Sequence, residues 1–171
     1  MKLLAVLRHA KSSWDNAALD DFNRPLNERG WKDARRMGRE LKHRGVHFDL
    51  VLASAAARVR ETIDGVQEHY DFAAPIQFEQ RLYGASEQEL LSQVRALPDT
   101  AHAALLVGHN PGLEQLLAEL TLDDEDGLRH RIAGKYPTGA LAVVEFAGRR
   151  WADVSPATGK IVELILAKDL D

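Results

Sequence analysis

Three short segments place arginine and histidine side chains directly after apolar runs of the sequence. Arg8 and His9 follow the first run, Arg58 lies shortly after the second, and His109 follows a later one. A lone histidine at the end of a strand is more often structural than catalytic. The combination of two arginines with two histidines, each at the end of a run, predicts a site for an anionic group.

Phosphoryl transfer is the chemistry that these residue types suit. A phosphoryl group in flight spreads negative charge over its equatorial oxygens, so catalysis depends mainly on positioning and electrostatic stabilisation. The guanidinium groups of Arg8 and Arg58 can bind those oxygens in bidentate geometry. Ser54 precedes a predicted helix, whose N-terminal N–H groups would add to the positive potential.

His9 is the candidate nucleophile. A neutral imidazole can attack phosphorus, and neighbouring cations are expected to favour its neutral form. His109 could stay protonated against the bound anion and donate a hydrogen bond to it. This chemistry needs no metal and no other cofactor, and an arginine-rich site repels a cation.

The elements that must position these residues alternate along the chain. Apolar runs predict strands at residues 2–7, 49–53, 75–78, 103–107, 140–146 and 161–166. Helical spacing predicts a helix over residues 27–44, ended by Gly45, and a second from about 55 to 69, capped by Ser54. A third helix is predicted after Ser86, with Glu89 completing a capping box. A fourth is predicted from Pro111 to about residue 120. An acidic turn is predicted at residues 123–126.

This alternation predicts an α/β fold with a mostly parallel sheet, arranged as a single domain over residues 1–171. Ligands of such sheets bind beyond the carboxyl ends of the strands. The polar segments after the strands are therefore expected to meet there. Whether the two C-terminal strands pair with each other stays open at this stage.

Composition excludes several classes of function. The chain has no cysteine, which excludes disulfides, thiol catalysis and zinc sites with cysteine ligands. A formal net charge of −4 without a basic run argues against nucleic-acid binding. No apolar stretch approaches the roughly 20 residues of a membrane span, and no signal peptide is evident, so a cytoplasmic protein without membrane partners is expected.

The motifs resemble those of the histidine phosphatase superfamily. Arg8-His9-Ala10 is similar to the Arg-His-Gly-like motif that ends the first strand of that family. The stretch Arg-His-Ala-Lys-Ser-Ser-Trp, followed by Asp-Phe-Asn-Arg24-Pro-Leu, resembles the short SixA-type phosphohistidine phosphatase branch. The later motifs around Arg58 and His109 follow in the expected order, so the resemblance covers roughly residues 1–120.

The resemblance implies roles for individual residues. It implies that His9 accepts the phosphoryl group and that Arg8, Arg58 and His109 complete the phosphate pocket. Arg24 is implied as an added substrate contact; the alternative is a structural ion pair with Asp20 or Asp21. Trp14, in the loop after the nucleophile, is expected at the mouth of the pocket.

The resemblance also implies an architecture. It is a three-layer α/β/α fold of the phosphoglycerate mutase-like type, with one antiparallel strand supplied by the C-terminal strands. A chain of 171 residues leaves no room for a large inserted cap. The pocket is therefore expected to be open and shallow.

The sequence departs from the mutase pattern at the general acid. Counting four residues back from Gly84 reaches Gln80, which cannot protonate a leaving alcohol; Glu79 lies one residue off and is interpreted as a loop residue. An alcohol leaving group needs such an acid, whereas an imidazole departs more readily. This difference favours phosphohistidine on a phosphotransfer protein as the substrate.

Three hypotheses therefore stand. The first is a phosphohistidine phosphatase with a covalent intermediate on His9, acting on a phosphohistidine-bearing protein. The second is a phosphomonoesterase or phosphoglycerate mutase-like enzyme for a small phosphorylated substrate, which needs Glu79 or another carboxylate as its acid. The third is a phosphate-binding module without turnover.

Overall fold

A six-stranded sheet runs through the centre of the protein, whose computed structural model describes residues 1–122 and 127–171. The strand order is β3-β2-β4-β1-β5-β6. The strands are β1 (Lys2–Arg8), β2 (Leu50–Ser54), β3 (Ile76–Glu79), β4 (Ala103–Gly108), β5 (Ala140–Phe146) and β6 (Gly159–Leu166). The predicted acidic turn at residues 123–126 lies outside the described residues.

One strand runs against the others, as predicted. β5 pairs antiparallel with both β1 and β6, whereas β1, β2, β3 and β4 pair in parallel. The C-terminal strands β5 and β6 thus pair with each other, which the sequence left open. The fold is a mostly parallel α/β sheet, and the prediction of the fold class is confirmed.

Helices cover both faces of the sheet and make the expected three layers. They are α1 (Glu28–Arg44), α2 (Ala57–Gln67), α3 (Glu87–Arg95), α4 (Gly112–Leu120) and α5 (Leu128–Ile132). Alternate residues of β1 face opposite layers, because successive side chains of a strand point to opposite faces. Leu4 and Val6 pack in the core on the α3 and α4 side, and Ala5 and Leu7 in the core on the α1 and α2 side.

The predicted caps Gly45 and Ser86 are confirmed, and α1 begins one residue after its predicted start at Asn27. The Asn27 side chain accepts a hydrogen bond from the Gly30 amide at the start of α1, and Gly45 ends that helix with φ of 64°. Ser86 accepts from the Glu89 amide at the start of α3. No described helix is long and apolar enough to cross a membrane.

The predicted cap of α2 is wrong. Ser54 is the last residue of β2, and Ala56 occupies the N-cap position without a side-chain hydrogen bond. The physical reason is that β2 continues through Ser54, since its partner strand β3 extends to Glu79 opposite it. The short helix α5 was not predicted, because its five residues carry no clear periodicity.

Candidate active site

Sheet register brings the two histidines together. β1 and β4 are parallel neighbours with Arg8 opposite Gly108, so the next residues, His9 and His109, leave the sheet side by side. The His9 amide donates to the Gly108 carbonyl at 3.0 Å. The two imidazole centroids lie 5.2 Å apart. The two histidines predicted at the strand ends are thus neighbours, with ring planes tilted by 55°.

The tautomer of His9 follows from its hydrogen bond. Its Nδ1 lies 2.7 Å from the Ala10 carbonyl oxygen. Since a carbonyl oxygen only accepts, Nδ1 carries the proton and Nε2 carries the lone pair. Burial, together with the smaller effects of His109, Arg58 and Arg8, lowers the pKa of His9 to about 3, although the hydrogen bond to Ala10 acts in the opposite direction. The ring is therefore neutral at physiological pH, as predicted, although burial contributes more than the neighbouring cations.

His109 is bound by the hydroxyl that ends β2. Its Nε2 lies 2.8 Å from Ser54 Oγ, and that oxygen also accepts from the Ala56 amide at 3.2 Å. Burial, followed by Arg58, lowers the pKa of His109 to about 4. His109 is therefore neutral in the substrate-free protein. If Ser54 donates to Nε2, the proton of the neutral ring lies on Nδ1.

Arg58, on α2, lies close to both histidines. Its residue is only 6% exposed, and it perturbs the pKa of both histidines. Its Nη1 donates to the Asp21 carbonyl at 2.7 Å and its Nη2 to the Asp21 carboxylate at 3.0 Å. Asp21 thereby fixes the direction of the Arg58 guanidinium.

Three buried nitrogen atoms of this cluster have no hydrogen-bond partner among the described residues. They are Arg8 Nε, Arg58 Nε and His109 Nδ1. An unpartnered polar atom in the interior costs about 1–3 kcal/mol. Native structures keep such atoms mainly where a ligand or a function requires them. The four predicted catalytic residues therefore form one cluster with spare hydrogen-bonding capacity.

A loop before β5 supports Arg8 and was not found from the sequence. Arg8 Nη1 and the Asn110 side-chain amide both donate to the Tyr136 carbonyl at 2.9 Å. The buried Tyr136 hydroxyl donates to the Val6 carbonyl, so the loop is anchored in the sheet. A backbone acceptor leaves no motif in a sequence, which is why Tyr136 gave no signal.

Residues of α2 support the loop that follows β1. Thr62 Oγ1 accepts from the Ala10 amide at 3.0 Å and donates to the Arg58 carbonyl. The Glu61 carboxylate accepts from the Leu26 amide at 2.9 Å. The segment after His9 and the Arg-Pro-Leu segment are both held by one helix.

Arg24 makes the ion pair that was weighed against a substrate contact. Its Nε donates to the Asp21 carboxylate at 3.0 Å, and its Nη1 donates to Ser12 Oγ at 2.7 Å. Its guanidinium also stacks on the Trp14 ring, 3.6 Å from the centroid. Arg24 is among the cations that lower the pKa of His109, so it lies near the cluster as well. Trp14 itself is 75% exposed.

Two further residues border the cluster without having been singled out from the sequence. The Tyr83 hydroxyl donates to the Asp21 carboxylate, and its ring lies edge-on to His109 at 5.5 Å. Phe22 lies edge-on to Tyr83 at 5.1 Å.

Glu79, the candidate acid, has its carboxylate 3.6 Å from Arg81 Nε. In residues 1–122 and 127–171, no three metal-ligating side chains converge.

Comparison with known proteins assigns the family. Residues 4–90 match the model of the histidine phosphatase superfamily, branch 1. An uncharacterised protein of Mycobacterium tuberculosis is 35% identical over 159 residues, which cover 91% of this chain and 96% of that protein. The chain belongs to the histidine phosphatase superfamily. The resemblance drawn from the motifs is confirmed.

Solved structures place the chain in the SixA-type branch of the superfamily. A protein of Nakamurella multipartita, provisionally assigned as a SixA phosphohistidine phosphatase, superposes with a TM-score of 0.82 at 28% identity, covering 96% of this chain and 95% of that one. The protein histidine phosphatase SixA, solved with tungstate, superposes with a TM-score of 0.81 at 21% identity over 99% of each chain. The near-complete coverage in both directions agrees with a fold that lacks a large inserted cap.

Proposed function

We propose that this protein is a phosphohistidine phosphatase in which His9 accepts the phosphoryl group. The observation that supports it most is the set of buried, unpartnered nitrogens of Arg8, Arg58 and His109 around a histidine whose Nε2 carries its lone pair. Cationic and N–H donors suit the charge that develops on equatorial phosphoryl oxygens. SixA itself binds tungstate, an oxyanion of similar shape to phosphate.

The first step transfers the phosphoryl group to the protein. His9 Nε2 attacks phosphorus, the new P–N bond forms, and the bond to the leaving group breaks with its electron pair. Arg8 and Arg58 bind the equatorial oxygens, and His109 Nδ1 donates to one of them. His9 keeps its Nδ1 proton on the Ala10 carbonyl, so the phosphorylated ring stays oriented.

The second step returns His9 to its initial state. Water attacks phosphorus, the P–O bond forms, and the P–N bond to His9 breaks. The water gives one proton to the phosphate product, and the electron pair of the P–N bond returns to Nε2. The low pKa of His9 makes its neutral ring a good leaving group at neutral pH.

The substrate class follows from the leaving group. An ester needs a positioned acid, worth about 10²–10⁴-fold in rate, whereas an imidazole leaves without one. Glu79 is the nearest match in sequence to the missing acid, and its carboxylate is paired with Arg81. A phosphohistidine on a protein is thus favoured over a small phosphoester.

The test is to trap the intermediate. A protein phosphorylated on histidine with ³²P is mixed with the enzyme and quenched in alkali, which preserves phosphohistidine. We expect label on His9, and we expect the His9→Asn variant to lose phosphate release by more than about 10³-fold. His102→Asn, which alters an exposed histidine elsewhere, is the matched control and keeps full activity. Unchanged phosphate release by His9→Asn would exclude the mechanism.

A further inference from the structure

Asp21 binds Arg24 and Arg58 and is much more exposed than either of them. Its side chain is 46% exposed, whereas the side chains of its partners Arg58 and Arg24 are only 7% and 9% exposed. The His9 residue is 6% exposed. Because phosphoryl displacement is in line, the leaving group lies across phosphorus from His9 and therefore towards the exposed side. Asp21 combines exposure with a direct contact to Arg58, which makes it a candidate to border the leaving group.

The Asp21 carboxylate has capacity for one more donor. Two ionised oxygens offer about four acceptor positions. Three are taken: Arg24 Nε donates to Oδ1, while Arg58 Nη2 and the Tyr83 hydroxyl donate to Oδ2. The hydrogen bond from Tyr83, followed by those from Arg24 and Arg58, holds the pKa of Asp21 well below its usual range. The carboxylate is therefore ionised at all working pH values and can only accept.

Aromatic rings stand beside this acceptor. Tyr83 packs edge-on against both His109 and Phe22 and is partly exposed, as is Phe22. Aromatic faces and edges favour contact with another planar ring. An acceptor-only carboxylate next to aromatic rings fits a planar leaving group that carries an N–H.

We propose that Asp21, Tyr83 and Phe22 form a leaving-group subsite that selects an imidazole ring bearing an N–H donor over a leaving group without one. This proposal rests on the proposed phosphohistidine phosphatase function. Asp21 accepts the hydrogen bond from the ring nitrogen that does not carry phosphorus, and Tyr83 and Phe22 border the ring.

The subsite explains how transfer proceeds without a general acid. The reactive phosphoimidazole carries a proton on its distal nitrogen, and Asp21 stabilises that form. When the P–N bond of the substrate breaks, its electron pair remains on the released nitrogen and the distal proton stays in place. A neutral imidazole departs, and no other proton is required. A leaving group that carries a carboxylate is repelled by Asp21 instead.

The experiment compares two small substrates with the Asp21→Asn variant. N-phosphoimidazole has a leaving ring with an N–H in its protonated form, and p-nitrophenyl phosphate has a good leaving group without one. Asp21→Asn also weakens the orientation of Arg58, but that loss acts on both substrates alike. The ratio of their kcat/KM values therefore isolates the subsite.

We expect Asp21→Asn to lower this ratio about tenfold or more, the size of one lost charge-assisted hydrogen bond. The basic limb of the kcat profile for N-phosphoimidazole should also move to lower pH, because Asp21 no longer stabilises the protonated form of the bound ring. Asp20→Asn is the matched control: it removes the same charge one residue away, where the carboxylate accepts from Asn23, and leaves the ratio unchanged.

The outcomes separate the two proposals. A loss by the same factor for both substrates means that Asp21 only orients Arg58, and it overturns the subsite while the phosphatase function stands. A wild-type protein that forms phospho-His9 from p-nitrophenyl phosphate but does not turn over N-phosphoimidazole overturns the phosphohistidine function itself.

Discussion

At the scale of single residues, the candidate site depends on which nitrogen of each imidazole holds a proton. The Ala10 carbonyl fixes this for His9, and Ser54 is the corresponding partner of His109. Ser54 is fully buried at the end of β2, so no water can replace its hydroxyl without a structural change. The hydroxyl therefore orients the His109 ring from its Nε2 side, which leaves Nδ1 directed away from Ser54.

Ser54→Ala tests this positioning role. We expect kcat to fall about tenfold with little change in KM, because His109 loses its orienting partner but the arginines still bind the anion. Ser86→Ala, which removes the capping hydroxyl of α3, should reduce stability by about 1 kcal/mol and leave kcat unchanged. Steady-state kinetics and urea unfolding of both variants provide the measurement. A wild-type kcat in Ser54→Ala would contradict the role.

Some residues of the candidate site could be predicted from the sequence, and others could not. Arg8, His9, Arg58 and His109 could be found because strand ends collect functional side chains in a parallel sheet. Asp21 appeared only as a partner for Arg24, and its contact with Arg58 spans 37 positions that no local pattern encodes. Tyr83 reaches His109 from a loop after β3 whose path the sequence does not specify.

At the scale of elements, α1 approaches the loop after β1 at a glycine. A Cβ at Gly30 would lie 2.1 Å from the Lys11 carbonyl oxygen, a backbone atom that cannot turn away. The Asn27 amide donates to that same oxygen at 3.1 Å. The first turn of α1 thus fixes the loop that begins at His9.

Gly30→Ala should displace this loop or α1. We expect a loss of about 2–3 kcal/mol in the free energy of unfolding, within the range for overpacked sites, and a lower kcat/KM. Gly148→Ala is the matched control, because a Cβ there meets no atom within 4 Å. The measurements are urea unfolding and steady-state kinetics of the two variants. Equal stabilities would show that the backbone around Gly30 and Lys11 can move to accommodate the methyl group.

The elements themselves were largely predictable. α3 begins where Ser86 predicts its cap, and α1 begins one residue after the predicted start at Asn27. The cap of α2 was predicted wrongly at Ser54. Where a helix follows a strand almost directly, the sequence does not distinguish a serine that ends the strand from a serine that caps the helix. The pairing of β5 with β6 could not be predicted, since register depends on tertiary contacts.

At the scale of the whole molecule, the buried histidines link stability to pH. Their pKa values in the folded protein, about 3 for His9 and about 4 for His109, lie below the ordinary value of 6.5. As the pH falls below about 6.5, the unfolded chain binds protons that the folded protein does not. Stability is therefore lost on acidification, before most carboxylates titrate.

The free energy of unfolding should fall between pH 6.5 and 5 with a slope of up to about 1.4 kcal/mol per pH unit for each of the two histidines. His9→Asn should remove one histidine's share of this slope. Ser86→Ala, which removes no titratable group, should leave the slope unchanged. Urea unfolding across this range is the measurement, and a flat profile for the wild type would contradict the burial of both neutral rings.

The central place of β1 has a consequence for biosynthesis. Its two edges pair with β4 and β5, so neither partner exists until residues 103–108 and 140–146 have left the ribosome. Closing such distant pairs is slow, because loop entropy must be overcome before the contacts form. The apolar strand β1 is thus unpaired until those residues have been synthesised, and chaperones can bind it during that time. Arg8 likewise gains its acceptor, the Tyr136 carbonyl, only after Tyr136 has been added to the nascent chain.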